Sequence, residues 1–147
     1  MRSMWEVVPA TLADVAAVAA IERVANPTPW PLASLTGHFA GAANWAWLAK
    51  TPERVGAFAL GATICDEAHL YEIATAPNVR RQGAARTVLQ WAMQQARGAG
   101  ATAMWLEVRA SNTSAIALYE ACGFALVSVR LRYYQDGEAA QVMRAGF

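Results

Sequence analysis

The stretch HLYEIATAPNVRRQGAARTVLQWAMQQARGAGATAMWLEV, residues 69–108, leaves this chain few ways to fold. It opens with a β-type run, HLYEIAT, and passes through a proline and a glycine. Ala85, Val88, Leu89, Ala92, Met93 and Ala96 then fall at the three- and four-residue spacing of one helix face. That helix closes near Gly98, and AMWLEV follows as a second β-type run. Strand, helix and strand in this order make a βαβ unit, which puts both strands in one sheet.

The remaining segments add strands that pair locally. Trp5 to Val8 reads as a short strand ending at Pro9. Thr11, with Asp14 three residues on, is a capping-box variant ahead of a helix over Leu12 to Val24. NPTPWP cannot be helical, because its prolines lack donors and fix the backbone, and a short helix is expected over Leu32 to Phe39. NWAWLAK and VGAFALGATIC, joined by TPER, read as a hairpin, and DEA turns the chain back into HLYEIAT. SNTSAIALYEACG is a capped helix ending at Gly123, and FALVSVRLRYY with AAQVMRAGF is a closing strand pair. The expected class is α/β (α+β): a mixed, mostly antiparallel sheet with helices on both faces around a central βαβ unit. At 147 residues, without linker or repeat, one domain over 1–147 is expected.

Net charge is +1, with Lys50 the single lysine, so electrostatics makes no case for nucleic acid or an anionic membrane as partner. Cys65 and Cys122 have no metal-type spacing and read as reduced thiols. The segment MRSMWEVVPAT lacks the apolar run of a leader, and no run approaches the ~18 apolar residues of a membrane span. A soluble cytoplasmic protein without a metal site is the expectation, with His38 and His69 isolated and given surface or packing roles.

Two features carry chemistry. Arg80-Arg81-Gln82-Gly83-Ala84-Ala85 reads as R-x-x-G-x-A at a helix start. Small residues there let backbone N–H groups approach an anion, and the helix dipole favours negative charge. Arg81 and Arg86 add side-chain donors at the rim. The loop lacks the Gly-Lys-Ser/Thr of a P-loop and the three glycines of the dinucleotide fingerprint. The second feature is Glu107, an acid inside the apolar MWLEV, followed twelve residues later by Tyr119. Glu107 faces either solvent or a cleft; Tyr119 either packs beside Ile116 or gives a proton. Paired, a carboxylate that takes a proton and a phenol that gives one suit acyl transfer from a thioester to an amine. Asn112 stands in N-cap position, free to bond the backbone or a ligand amide.

The order of elements, the R-x-x-G-x-A loop and the stretch Asn112, Ala115, Leu118, Tyr119, Gly123, Phe124 resemble the GNAT family of acetyl-CoA-dependent N-acetyltransferases. Similarity extends over nearly the whole chain. PWP, DEAHLYEIAT, WLEVRASNTSAIALYEACGF and RYYQDGE resemble the RimI-type ribosomal-protein-alanine N-acetyltransferases within that family. The resemblance implies the GNAT fold, in which the two central strands splay and the thioester sits in the gap. It implies Glu107 as general base and Tyr119 as the acid that protonates the coenzyme A thiolate. Ile73, Ala74 and Thr75 would offer strand backbone to the pantetheine arm, while Arg81, Gln82, Gly83, Ala84, Ala85 and Arg86 wrap the pyrophosphate. Asn112 would contact the coenzyme, and Trp30, Tyr133 and Tyr134 would line the groove for the incoming N-terminus.

The implied reaction moves acetyl from acetyl-CoA to a protein α-amine, that of an alanine-led ribosomal protein, by a monomer or weak dimer. Ala85 stands where a second glycine is common, and Ala139-Ala140 where the subgroup usually carries Asp-Ala, which bears on peptide preference. For Tyr133 and Tyr134, packing on the closing strand is the alternative to substrate contact. Two rival functions stay open: acetylation of a small-molecule amine, and a non-catalytic acyl-CoA-binding module.

Overall fold

The computed structural model describes residues 4–147. Met1–Ser3, the start of the segment read as lacking a leader, lie outside the described residues. The strands are β1 (Glu6–Pro9), β2 (Asn44–Lys50), β3 (Val55–Ile64), β4 (Glu67–Thr75), β5 (Ala103–Arg109), β6 (Ala125–Arg130) and β7 (Ala140–Gly146). The helices are α1 (Val15–Ala25), α2 (Leu32–His38), α3 (Ala84–Gly98) and α4 (Thr113–Ala121). The strands form one sheet in the order β1-β2-β3-β4-β5-β7-β6, antiparallel throughout except for the β4–β5 pair that α3 connects. Both α1 and α3 pack on β3 and β4 without packing substantially on each other, so they cover opposite faces. The mixed sheet with helices on both faces is the expected one.

Two local expectations shift. The Thr11–Asp14 capping box forms, with the Thr11 N–H donating to Asp14 Oδ2 at 2.8 Å, but it closes a single 3-10 turn over Leu12–Asp14. The α-helix proper starts at Val15. β6 stops at Arg130 and Arg132 has φ +54°, so Tyr133 and Tyr134 lie in the β6–β7 loop and not on a strand. The last hairpin also folds back, so that β7, not β6, pairs with β5.

Phe58, Leu60, Met104, Leu106 and Met143 are fully buried at the centre of the sheet. Two irregularities there shape the site. The β4–β5 ladder runs only from Glu67↔Ala103 to Leu70↔Leu106, although β4 continues to Thr75 and β5 to Arg109. Beyond Leu70 the strands part, the splay that the resemblance implied. Opposite, β3 and β4 slip register between Leu60↔Glu72 and Gly61↔Leu70, leaving Tyr71 as an extra residue. Gly61 is required at this bulge, because a Cβ there would overlap the Trp45 ring and the His69 carbonyl.

Candidate active site

The gap between β4 and β5 opens a cleft of about 930 Å³. Its walls come from the end of α1 and the loop after it, the outer half of β4, the loop into α3, the end of β5 and α4. The bulge breaks the alternation of β4, so the consecutive residues Tyr71 and Glu72 both line the cleft.

Glu107 lies on the cleft wall at the point where β5 leaves β4, with 17% of its side chain exposed. His69 Nε2 lies 2.8 Å from Glu107 Oε2. That hydrogen bond is the largest influence holding the Glu107 carboxyl below its ordinary range, against the opposing effect of burial. A carboxylate can only accept, so Nε2 carries the hydrogen and donates it. Read from the sequence, His69 had only a surface or packing role. Its place follows from the parallel register, which sets His69 beside Trp105 and brings its ring to Glu107 two residues further on.

Tyr119 projects from α4 into the cleft and is only 6% exposed. It packs edge-on against Phe124, the ring centroids 5.8 Å apart, a partner other than the Ile116 that its spacing suggested. Burial first, then the charge of Glu72, raises its phenol above the ordinary tyrosine range.

Ile73, Ala74 and Thr75 line the cleft along the part of β4 that pairs with β3 but has parted from β5. Arg81, Gly83, Ala84, Ala85 and Arg86 line its far end, with Arg80 beside them. Arg81 (φ +65°) and Gly83 (φ +81°) are both left-handed, a curl that turns successive N–H groups into one concavity. No side chain caps α3, so its first N–H groups are open to a ligand. Gln82 is absent from the cleft lining; its carbonyl accepts from Trp5 Nε1 at 3.0 Å. Asn112 lines the cleft and caps α4, its Oδ1 accepting from the Ala115 N–H at 3.3 Å. A strand with free backbone leading to an uncapped helix start suits a pantetheine arm ending in a pyrophosphate. Among the described residues no group of three or more His, Cys, Asp or Glu could hold a metal.

At the opposite mouth Trp30 and Tyr134 line the cleft, whereas Tyr133 is absent from its lining, its ring near Arg130 and edge-on to Tyr134. Burial is the main reason the Tyr134 phenol rises to about 12. A second feature missed in the sequence is Arg109. Its Nη1 donates to Asp136 Oδ2 at 2.8 Å and Glu138 Oε1 at 3.0 Å, and its Nη2 to Thr28 Oγ1 at 3.0 Å. The guanidinium also covers the Tyr134 ring at 4.2 Å. One side chain thus ties the α1–α2 loop to the β6–β7 loop. Ala139, at the position where the subgroup's Asp was missed, accepts from the Ala110 N–H through its carbonyl at 3.0 Å.

A third unforeseen group is Glu22. It falls at the i+7 position of the stripe Val15, Val18, Ala19 and is fully buried, and Asn26 Nδ2 donates both to it (2.9 Å) and to Glu72 (2.6 Å).

Residues 9–124 match the model of the acetyltransferase (GNAT) family. The chain is 36% identical over 125 residues to the ribosomal protein bS18-alanine N-acetyltransferase of Salmonella typhimurium, covering 85% of this chain and 84% of that one. With the enzyme of the same name from Escherichia coli K12 it shares 34% identity over 134 residues, 90% of each chain. The crystal structure of the Escherichia coli ribosomal-protein-S18-alanine N-acetyltransferase superposes with a TM-score of 0.90 at 34% identity, over 97% of this chain and 94% of that one. Ard1 from Thermoplasma volcanium, 20% identical with a TM-score of 0.87, shares the fold. The splayed strands, the curled loop at the start of α3 and these likenesses agree, and the chain belongs to the GNAT acetyltransferase family.

Proposed function

We propose that this protein transfers the acetyl group of acetyl-CoA to the α-amine of a protein N-terminus, that of an alanine-led ribosomal protein. The observation that carries the reading is the position of Glu107, ionised, bonded to His69 and facing the cleft that opens where β4 and β5 part. The relatives with this activity cover most of both chains, which supports the same substrate class here.

The bound thioester supplies the activated acetyl group. The residues of this chain do the rest. The N–H groups at the start of α3, with Arg81 and Arg86, hold the pyrophosphate, and Ile73 to Thr75 present backbone to the pantetheine arm. Glu107 accepts the proton of the incoming ammonium, whose ordinary pKa is roughly 8, directly or through water. His69 orients the carboxylate and, half exposed, offers the proton a way out to solvent. Tyr119 stays protonated because burial holds it high. A thiolate with a pKa near ~8.5 does not strip such a phenol outright, so Tyr119 assists by donating a hydrogen bond to the departing sulfur. Trp30, its N–H held by Glu22, and Tyr134, covered by Arg109, contact the first residues of the peptide, and Tyr133 flanks them at the rim.

The test is thiol release from acetyl-CoA with peptides whose first residue varies, run beside free amines, with mass spectrometry locating the acetyl group. Acetylation confined to the α-amine of alanine-led peptides is expected. Turnover on free amines alone would overturn the substrate, and coenzyme binding without turnover on any amine would overturn the enzyme.

A further inference from the structure

Glu22 has no exposed surface, and its Oε1 has no hydrogen-bond partner. Its Oε2 accepts from the Trp30 N–H at 3.0 Å and from Asn26 Nδ2 at 2.9 Å. The same Asn26 nitrogen donates to Glu72 Oε2 at 2.6 Å, so two carboxyl groups, one from α1 and one from the bulged part of β4, converge on a single amide. An unpartnered buried carboxylate oxygen beside a second carboxylate is costly on two counts, desolvation and like charge. One proton between the two removes both costs and gives Oε1 its missing bond.

We propose that Glu22 and Glu72 hold one proton between their carboxyl groups, and that this proton fastens the segment from Asn26 to Trp30 against β4, making the pair positioning residues for the peptide side of the cleft. The reading of the peptide as substrate enters only through the kinetic arm of the test.

Burial and the charge of Glu22 raise the Glu72 carboxyl well above its ordinary range, in keeping with a retained proton. α1 contributes Glu22, with Asn26 just past its end, α4 contributes Tyr119, the β6–β7 loop contributes Tyr134, and β5 contributes Glu107, already occupied by His69. α2 contributes His38, whose ring stands edge-on to Trp30 at 6.2 Å with its Nε2 3.0 Å from the Trp45 carbonyl oxygen. The cations Arg80, Arg81 and Arg86 line the coenzyme end of the same cleft, and Arg109 is engaged by Asp136 and Glu138. No cation is bonded to either carboxyl among the described contacts, and the proton does that work.

The sign follows from linkage. With its folded value raised, the pair stabilises the closed segment fully below the ordinary carboxyl value of about 4.5, and progressively less as pH rises toward the raised value. Above that value the doubly ionised pair repels, and the segment carrying Trp30 loosens.

Glu72→Gln replaces the protonated carboxyl by an amide that donates to Glu22 and cannot titrate. Three measurements on the full chain decide the matter. In infrared difference spectra at pH 7, wild type minus Glu72→Gln should show the carbonyl stretch of a protonated carboxyl. Protection of the Trp30 backbone N–H against hydrogen exchange should fall with rising pH in wild type and stay level in Glu72→Gln. The ratio of wild-type to Glu72→Gln peptide KM, in which the titration of the amine cancels, should rise roughly fivefold or more between pH 6 and 9. Coenzyme affinity should not change. Absence of the protonated-carboxyl band, or equal pH dependence of Trp30 protection in both proteins, overturns the proposal. If the band and the protection difference are found but no peptide is acetylated, the pair stands and the substrate reading fails.

Discussion

Replacing His69 by alanine removes the largest influence on Glu107 and leaves the carboxylate in place. A hydrogen bond from an imidazole to a carboxylate is worth about 1.5–3 kcal/mol when desolvated. His69 is 36% exposed and Glu107 17%, so solvent screening reduces that to about 1 kcal/mol. Glu107 in the variant therefore titrates higher than in the wild type. The assay is kcat/KM for an alanine-led peptide against pH at saturating acetyl-CoA. Below the pKa of the amine, about 8, the logarithm should rise with slope one. It should steepen to slope two below the pH at which Glu107 takes a proton. His69→Ala should move that break upward and leave the amine-controlled break where it is. The same logic governs stability. Glu107 is depressed in the fold, so its contribution is present above the ordinary carboxyl value and lost as pH falls through the folded one; His69→Ala shrinks that loss. A variant whose acid break coincides with that of the wild type, or shifts downward, would refute the assignment of Glu107 as base.

Five further substitutions probe the site and the sheet beneath it. Glu107→Gln should lower kcat/KM about 10²-fold or more, and Tyr119→Phe should lower kcat about 10-fold to 10²-fold with coenzyme affinity retained, read from steady-state rates and titration calorimetry. At Gly83 an added Cβ meets nothing within 4 Å, so Gly83→Val acts through its φ of +81°. The left-handed backbone costs a β-branched residue about 1–2 kcal/mol. Relaxing it uncurls the N–H concavity, so coenzyme Kd should rise roughly 10-fold while peptide KM stays close to normal. Arg109→Met frees the α1–α2 and β6–β7 loops from each other and should raise peptide KM about 10-fold with coenzyme Kd unchanged. Gly61→Ala forces the bulge against the Trp45 ring and the His69 carbonyl, and urea unfolding should report a loss of about 3 kcal/mol.

Where the site was legible, local chemistry carried the signal. The anion loop announced itself through Gly83 and the small residues beside it, and α4 through Asn112 and Gly123, because caps and turns are short-range. Glu107 was visible as a carboxylate in an apolar strand. His69 was not, because its partner lies 38 residues away and meets it only through the parallel register. Glu22 left a trace that went unread, a charge on the apolar stripe of α1, where an acid is tolerated only when paired. Arg109 stood in a recognised motif, yet its partners Thr28, Asp136 and Glu138 come from loops whose approach no periodicity encodes. The end of β6 was overrun because RLRYY reads as strand, whereas Arg132 takes a left-handed turn.

The division of labour between sheet and loops explains why fold alone does not select the substrate. A fold of this kind leaves the choice of amine to the loops grafted on it. The loops of this chain meet beside Glu107. The bulge at Tyr71 sends Glu72 into the cleft, Glu72 meets Glu22 through Asn26, and Glu22 holds the Trp30 N–H. From the opposite wall Arg109 holds Thr28 and covers Tyr134. Both routes end on the same short segment, 26–30, anchored by three charged-type side chains, Glu72 and Arg109 from the sheet and Glu22 from α1. A segment rich in proline and held at its ends forms a rigid rim. Where the sheet places that rim therefore shapes the mouth of the cleft, and a single-residue slip of β4 against Gly61 would move the rim and β5 relative to each other.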